Sequence, residues 1–505
     1  MPLLSPPLAT VTPDRLARGQ QDLVRDLAWA SVAGAFSGGV ILVAFALSLG
    51  AGPLAVGLLA AIPVLAQAAQ LPATLLIERV RRRQRIAVLA LTAARGLILA
   101  TALLPLLASP AQALRWLLAL QVAIALLHAV GACAVNAWLH QLIPGTALGG
   151  FFARRLLWGT VLSCVGTLAA GALVDGLGSD LGLHPYSLCF LLAGLSGFVS
   201  SFYLARAPEP CMADAGPLGS LRRRLAAPFR ERNFRRLLVF LGAWNLASNL
   251  TAPFLTVFLL QQLRLPLSTV TGLWVLSQGA NALTLYLWGR LSDRLTNKAV
   301  LSVALPGYFA CLLALVFVDV FAGAATRLAV LAGLHLVMGV ATGGIALATG
   351  NLGLKLAPQG EGTAFLAAIG LVSAAAGGLA PIAAGAMAEA LQASELSAVV
   401  RWASPGAQGE WAVVSFAHWE FLFALSVLLG LYVMHALSRV TEGREVSERV
   451  VMQEFALEAV RTVGSLSSVA GSLGSLFPFE RLTERRRRLR ERAVVPEPGW
   501  QGRAS

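Results

Sequence analysis

The chain has 505 residues, of which 57% are hydrophobic and only 13% charged, against about 45–50% and 25% in ordinary soluble domains. Apolar stretches recur along it, each long enough to cross a bilayer core of about 30 Å as a helix; the composition excludes a soluble globular protein. The formal charge of +14 does not signal nucleic acid, because it is nearly all arginine, with Lys298 and Lys355 the only lysines, and it sits in the loops.

Residues 1–26 hold Pro6, Pro7, Pro13 and Asp14. They lack the short basic, apolar and small-residue design of a cleaved leader and are expected as an N-terminal segment outside the membrane. A first six-helix bundle is expected over 27–205, with spans at 27–49, 54–77, 86–108, 114–139, 156–178 and 186–205. A linker at 206–236 contains Pro208, Pro210, Gly216, Pro217, Pro228 and eight arginines. A second bundle is expected over 237–440, with spans at 237–261, 267–289, 299–321, 327–353, 363–390 and 416–438. The tail, 441–505, repeats apolar residues at three- and four-residue spacing from Val450 to Val469 and then runs into Arg485–Arg488, Arg490 and Arg492. That pattern predicts an amphipathic surface helix followed by a basic cluster that meets anionic lipid.

The loops fix an orientation. With this layout, 34 of the 39 Lys and Arg fall on the side of the N-terminus, four on the other side and Arg95 inside a span. The positive-inside rule then places both termini, the linker and the tail in the cytoplasm. The Ala-, Leu- and Arg-rich composition fits a multi-pass bacterial inner-membrane protein. The two bundles also repeat. Pro144 to Ala153 recurs weakly as Pro358 to Ala367 at an offset of 214, and the charged turns Glu78-Arg79 and Asp293-Arg294 match at 215. Such parallel repeats put a substrate site near the bilayer midplane between them.

Between the eighth and ninth spans stand Gly289, Asp293, Arg294 and Lys298, and half a chain earlier Glu78, Arg79 and Arg82 occupy the corresponding turn. This resembles the major facilitator superfamily, whose loops between helices two and three, and often eight and nine, read Gly-x-x-x-Asp-Arg/Lys-x-Gly-Arg-Arg/Lys. The second-half copy fits at four positions, with Thr296 and Asn297 departing. The first departs more, with Thr74, Glu78 and Arg81 in place of Gly, Asp and Gly. The resemblance covers about 27–440. It implies an all-α integral membrane fold of twelve helices in two six-helix repeats with a cytoplasmic tail. Physically, a charge network at this motif could latch one access state; the alternative is a simple stop signal of cytoplasmic charge. The Asp293 carboxylate can accept hydrogen bonds from free N–H groups at the start of a nearby helix.

Polar side chains at mid-depth mark candidate substrate contacts, because unpaired polar groups in hydrocarbon are costly. Asn245 and Asn249 share one face of the seventh span, Gln278 and Asn281 lie at similar depth on the eighth, and Trp244 and Trp274 flank them. Amides with indoles suit an uncharged or zwitterionic molecule; interhelical packing is the competing role. Arg95 stands alone in the third span, as a draw for an anionic group or as half of a structural ion pair. His128, Gln67, Gln70 and Asn136 are secondary candidates. The acids Asp175, Asp319, Glu389 and Glu420 map near the outer ends of spans, so a carboxylate relay is not expected inside.

The five cysteines have no Cys-x-x-Cys spacing, and neither a nucleotide motif nor a catalytic triad is evident. A monomeric, non-enzymatic transporter of a small organic solute is expected, with no cofactor, metal or nucleic acid. Two other readings stay open: a membrane receptor or assembly factor acting through its tail, and a lipid flippase.

Overall fold

The computed structural model describes residues 7–8, 10–177, 185–212, 227–318, 321, 323–357, 362–392, 394–404, 407–417, 419–442, 450, 452–455 and 457. Among the described residues, twelve long helices follow in order. The first six are α1 (Pro13–Ser48), α2 (Pro53–Val80), α3 (Arg83–Thr101), α4 (Pro110–Leu142), α5 (Gly145–Leu177) and α6 (Pro185–Arg206). The second six are α7 (Arg232–Gln262), α8 (Leu267–Arg294), α9 (Asn297–Val316), α10 (Ala324–Leu356), α11 (Gly362–Ala390) and α12 (Glu420–Ser438). Eleven of them are long and apolar enough to cross a membrane. The exception, α8, is long enough, but Gln278, Asn281, Arg290, Asp293 and Arg294 lower its hydropathy.

The duplication is visible in the packing. In the first half α1 lies on α5 and α6, and α3 on α4 and α6. In the second half α7 lies on α11 and α12, and α9 on α10 and α12. Successive helices run antiparallel, so one face carries the start of α1, the α2–α3 turn, the α6 end and the α12 end. This is called the terminal face below. The other face carries the α1–α2 turn and the α11–α12 connection.

Several helices break where the sequence requires it. Gly38 is extended and Gly39 has φ +51°, dividing α1 into Pro13–Ser37 and Gly39–Ser48. Pro63 lies inside α2 and lacks an N–H for the helical ladder; just beyond it the helix tightens into a 3-10 turn, Ala66–Ala69, before resuming at Gln70. The last turn of α7, Phe258–Gln262, widens into a π-turn after Pro253.

Three expectations are corrected. The first helix begins at Pro13 rather than near 27, because Asp22 and Asp26 are buried against arginines instead of lying in water. The connection between α11 and α12 is a hairpin of β1 (Glu395–Ser404) and β2 (Ala407–Ala417), antiparallel, with a register shift at Ala398/Val399. The last helix therefore starts at Glu420 rather than at 416. Of the tail, the described residues 450, 452–455 and 457 are helical, and the Phe455 ring stacks on Trp288 of α8 at 4.5 Å. The remainder of the expected amphipathic helix and the Arg485–Arg492 cluster lie outside the described residues, as does Asp319.

Candidate functional site

The two halves meet along α2–α11 and α5–α8, but only toward the face opposite the termini. In α2, Pro53–Leu65 packs along α11 while Gln70–Val80 diverges from it. A Cβ on Gly57 would overlap the Pro381 carbonyl of α11, and one on Gly385 would lie 2.6 Å from the Pro53 carbonyl. Only glycine permits this approach of two backbones. On the other seam, a Cβ on Gly171 of α5 would lie 3.1 Å from the Ser268 Cα of α8. One turn on, Asp175 accepts hydrogen bonds from the backbone N–H groups of Leu267 (3.2 Å) and Ser268 (2.7 Å). These are free donors of the first turn of α8, so a carboxylate of one half caps a helix of the other.

Toward the terminal face the halves part. Leu71 and Leu75 of α2, Leu156 and Leu157 of α5, Leu283 and Tyr286 of α8 and Leu371 of α11 are all more than half exposed. His128 and Asn136 are exposed on α4, Gln67 lies exposed at the α2 break, and the Gln70 amide donates to Gln67.

The predicted amides hydrogen-bond to different helices. Asn245 donates to the Leu241 carbonyl (2.8 Å) and to Ser373 of α11 (3.2 Å), and Asn249 donates to the Asn245 carbonyl (2.9 Å). Both border Gly377 of α11, while the neighbouring Gly378 meets Leu65 of α2. The first amide pair thus lies beside the inter-half seam. Asn281 instead donates to Thr342 of α10 (3.3 Å), and Gln278 is half-buried with no hydrogen bond among the described residues. The Trp244 ring stands edge-on to Tyr308 of α9 at 5.1 Å, so it packs away from Gln278 and Asn281.

Arg95 has a partner that the sequence did not reveal. The carboxylate of Asp26 lies among α1, α3, α5 and α6. It is 3.8 Å from Arg95 Nη2, accepts from Arg155 Nη2 at 3.4 Å and accepts from Ser200 Oγ at 2.6 Å. Arg95 also donates to Ser200 (2.7 Å) and to Ser201, which Thr92 contacts at 2.8 Å. Asp26 and Arg95 are each 4% exposed. The interior therefore does hold a carboxylate, contrary to expectation. One turn earlier, Asp22 pairs with the half-exposed Arg25 and Arg206. The signal was the i, i+4 spacing of Asp22 and Asp26 on one helix face; the expected helix start at 27 hid it.

At the terminal face each half closes on a glutamate just after its sixth helix. Glu209 accepts from the Arg83 N–H at the start of α3 (2.5 Å), with the Arg83 guanidinium at 3.6 Å. Burial pushes its carboxyl above the usual range, against hydrogen bonds from the Arg83 and Gln84 N–H groups. Glu442 accepts from the N–H groups of Asn297 (3.2 Å) and Lys298 (2.6 Å) at the start of α9, and from Lys355 (3.1 Å). Burial alone would push this carboxyl up; the hydrogen bonds from Lys298, Asn297 and Lys355 outweigh it and hold it below the usual range. The capping role expected of Asp293 is filled at α9 by Glu442. Asp293 itself is exposed, and Lys298 Nζ reaches the Ser438 carbonyl (3.1 Å). Gly289 makes only ordinary contact with Leu347 of α10. Glu78 and Arg79 are exposed on the last turn of α2, and Arg82 is exposed just before α3.

Among the described residues no group of three or more His, Cys, Asp or Glu is arranged to hold a metal ion. The arrangement is one of helix seams, caps and buried polar contacts around an opening between two bundles.

The same architecture occurs in solved structures. The chain superposes on the nucleoside transporter NupG with a TM-score of 0.64 at 12% identity, covering 84% of this chain and 100% of that one. A bacterial homologue of the iron transporter ferroportin, in an inward-facing state, gives 0.60 at 15% identity over 86% and 100%. A bacterial homologue of the human lysosomal transporter Spinster, inward-facing and unoccupied, gives 0.58 at 15% identity over 89% and 98%. No curated protein sequence matches the chain. The family profile described as Major Facilitator Superfamily matches residues 27–381, most of the helical part. With its duplicated bundles meeting along α2–α11 and α5–α8, the chain belongs to the major facilitator superfamily, a family of membrane transporters.

Proposed function

We propose that the protein moves a small organic solute across the inner membrane by alternating access, rocking residues 27–205 against 237–440. The observation that carries this reading is the asymmetry of the seams. The same two helix pairs that touch closely at one face diverge at the other. Leu71 and Leu75 of α2 and Leu156 and Leu157 of α5 are exposed on the same helices whose other ends are packed across the seams. With the arginine bias placing the terminal face in the cytoplasm, the opening is inward. Asn245 and Asn249 border the midplane part of the seam and are the first candidates for solute contact, with Gln278 and Asn281 across the opening.

Nucleoside, peptide and metal transporters share the fold, and sharing it does not fix this chain's solute. The test begins with thermal stability of the purified protein across sugars, amino acids, nucleosides, organic acids and drugs. A ligand at a hundred times its Kd stabilises by about 2.7 kcal/mol. The expected hit loses most of its effect in N245A/N249A. Its flux in proteoliposomes should stop when Asp175→Cys and Ser268→Cys, which face each other across the α5–α8 seam, are oxidised to a disulfide at the closed face, and return on reduction. Undiminished flux through the locked protein would refute alternating access.

A further inference from the structure

The buried cluster around Asp26 is not balanced. Two guanidinium groups, Arg95 and Arg155, face one carboxylate deep in the first bundle, at side-chain exposures of 5%, 12% and 6%. Asp22 cannot supply the missing charge, because Arg25 and Arg206 already pair with it. The two arginines are not equally served. Arg95 donates to both Ser200 and Ser201 and lies beside Asp26. Among the described residues Arg155 makes a single hydrogen bond, a long one of 3.4 Å to Asp26, and its Nε is buried with no partner.

Leaving a buried cation half-paired is costly, and a charge kept in that condition calls for a counter-ion. The guanidinium fork matches the two-oxygen edge of a carboxylate or phosphate. Arg155 stands one turn before Gly159, whose Cα faces Leu27 and Ser31 of α1. It therefore projects between α5 and α1, while the neighbouring Leu156, Leu157 and Trp158 are exposed at the open end of the bundle. The Arg155 side chain is 12% exposed against 5% for Arg95, so it is the more accessible of the two.

We infer that Arg155 is the anchor of an oxyanion subsite, taking the carboxylate or phosphate of a solute, with Asp26 as the internal group that occupies it when it is empty. The incoming oxyanion replaces the long Asp26 contact, and Asp26 stays held by Ser200 and Arg95. This deepens the transport reading by giving the solute an anionic group, but the site is tested by binding alone, so that failure of transport and failure of the subsite are separable.

The experiment is thermal unfolding of the purified full-length protein, titrated with sodium acetate, sodium phosphate or sodium chloride at matched ionic strength. Acetate or phosphate should raise Tm saturably and chloride should not; whichever acts identifies carboxylate or phosphate as the group bound. R155Q should abolish the response while unfolding in chloride at the wild-type temperature or above, since it removes an uncompensated charge. R155K, which keeps the charge without the fork, should weaken the response. D26N removes the internal competitor and should lower the half-saturating concentration by about tenfold or more. S200A, which leaves the charges unchanged, should retain the response if D26N does not fold. Equal stabilisation by chloride would overturn the subsite. So would R155Q that unfolds at lower temperature with the oxyanion response intact, the behaviour of a purely structural ion pair.

Discussion

Glu209 and Glu442 perform one task in two electrostatic settings. Each caps the start of the third helix of its half, yet burial wins at Glu209 and hydrogen bonding wins at Glu442. The consequences for pH run in opposite directions. A lowered carboxyl contributes stability that is complete above the ordinary carboxylate range and is lost as pH falls through its folded value. A raised one favours the protonated fold, so its contribution declines as pH rises. Thermal midpoints of wild type and E442Q should therefore differ most above about pH 5 and converge in acid. Parallel curves would show that the contacts to Asn297, Lys298 and Lys355 carry no net electrostatic stabilisation. Both glutamates follow the end of a sixth helix closely, in Ala207-Pro208-Glu209 and Val440-Thr441-Glu442. That symmetry was present in the sequence, but nothing local marks a loop acid as the cap of a helix more than a hundred residues away.

Helices were the most legible level. Twelve spans, their order and the repeat at an offset of 214 followed from apolar length and loop charge, and the packing pairs reproduce the repeat. What escaped were features set by partners rather than by period. The start of α1 was misplaced because a charged turn reads as aqueous until its arginines are known. The hairpin of β1 and β2 was not foreseen, and the next span was drawn from 416, over the last two residues of its second strand. The amides were taken as one cluster because depth along a helix gives no direction around it; α7 aims its pair at α11 and α8 aims Asn281 at α10. Gly377, Gly378 and Gly385 of α11 are contact points that apolar periodicity does not mark. At this scale the tightest element pair makes a clear demand. G57V would drive a side chain into the Pro381 carbonyl, and overpacking of this kind costs about 1–3 kcal/mol. The variant should unfold earlier or reside mainly with that face open; unchanged Tm together with unchanged accessibility of Leu54→Cys would refute the close approach.

At the level of the whole molecule, the closed face is held by a polar contact as well as by packing. A side-chain cap contributes roughly 0.5–2 kcal/mol, so removing Asp175 should shift the ratio of the two access states by about 2- to 30-fold toward opening at that face. The readout is the labelling rate of Leu54→Cys by a membrane-impermeant maleimide, with the native cysteines replaced. The rate should rise in D175A. No rise would mean that Gly57, Gly171 and Gly385 hold the face closed alone.

The caps at Glu209 and Glu442 also bear on how the chain could be divided. The first bundle finishes itself. Arg83 and Gln84 hold the strand after α6, Arg81 donates to the Met212 carbonyl and Gln141 to that of Cys211, so the last described residues before 213 are already tied down. The second bundle starts itself, since Glu231 caps α7 by accepting from Asn233 and Phe234. The contacts that finish the first bundle and start the second are made among the described residues on either side of the connection. Residues 1–212 and 227–505, expressed as two separate polypeptides in one membrane, should therefore find each other through the α2–α11 and α5–α8 seams. They should co-purify as a complex that keeps the ligand-induced stabilisation of the intact chain.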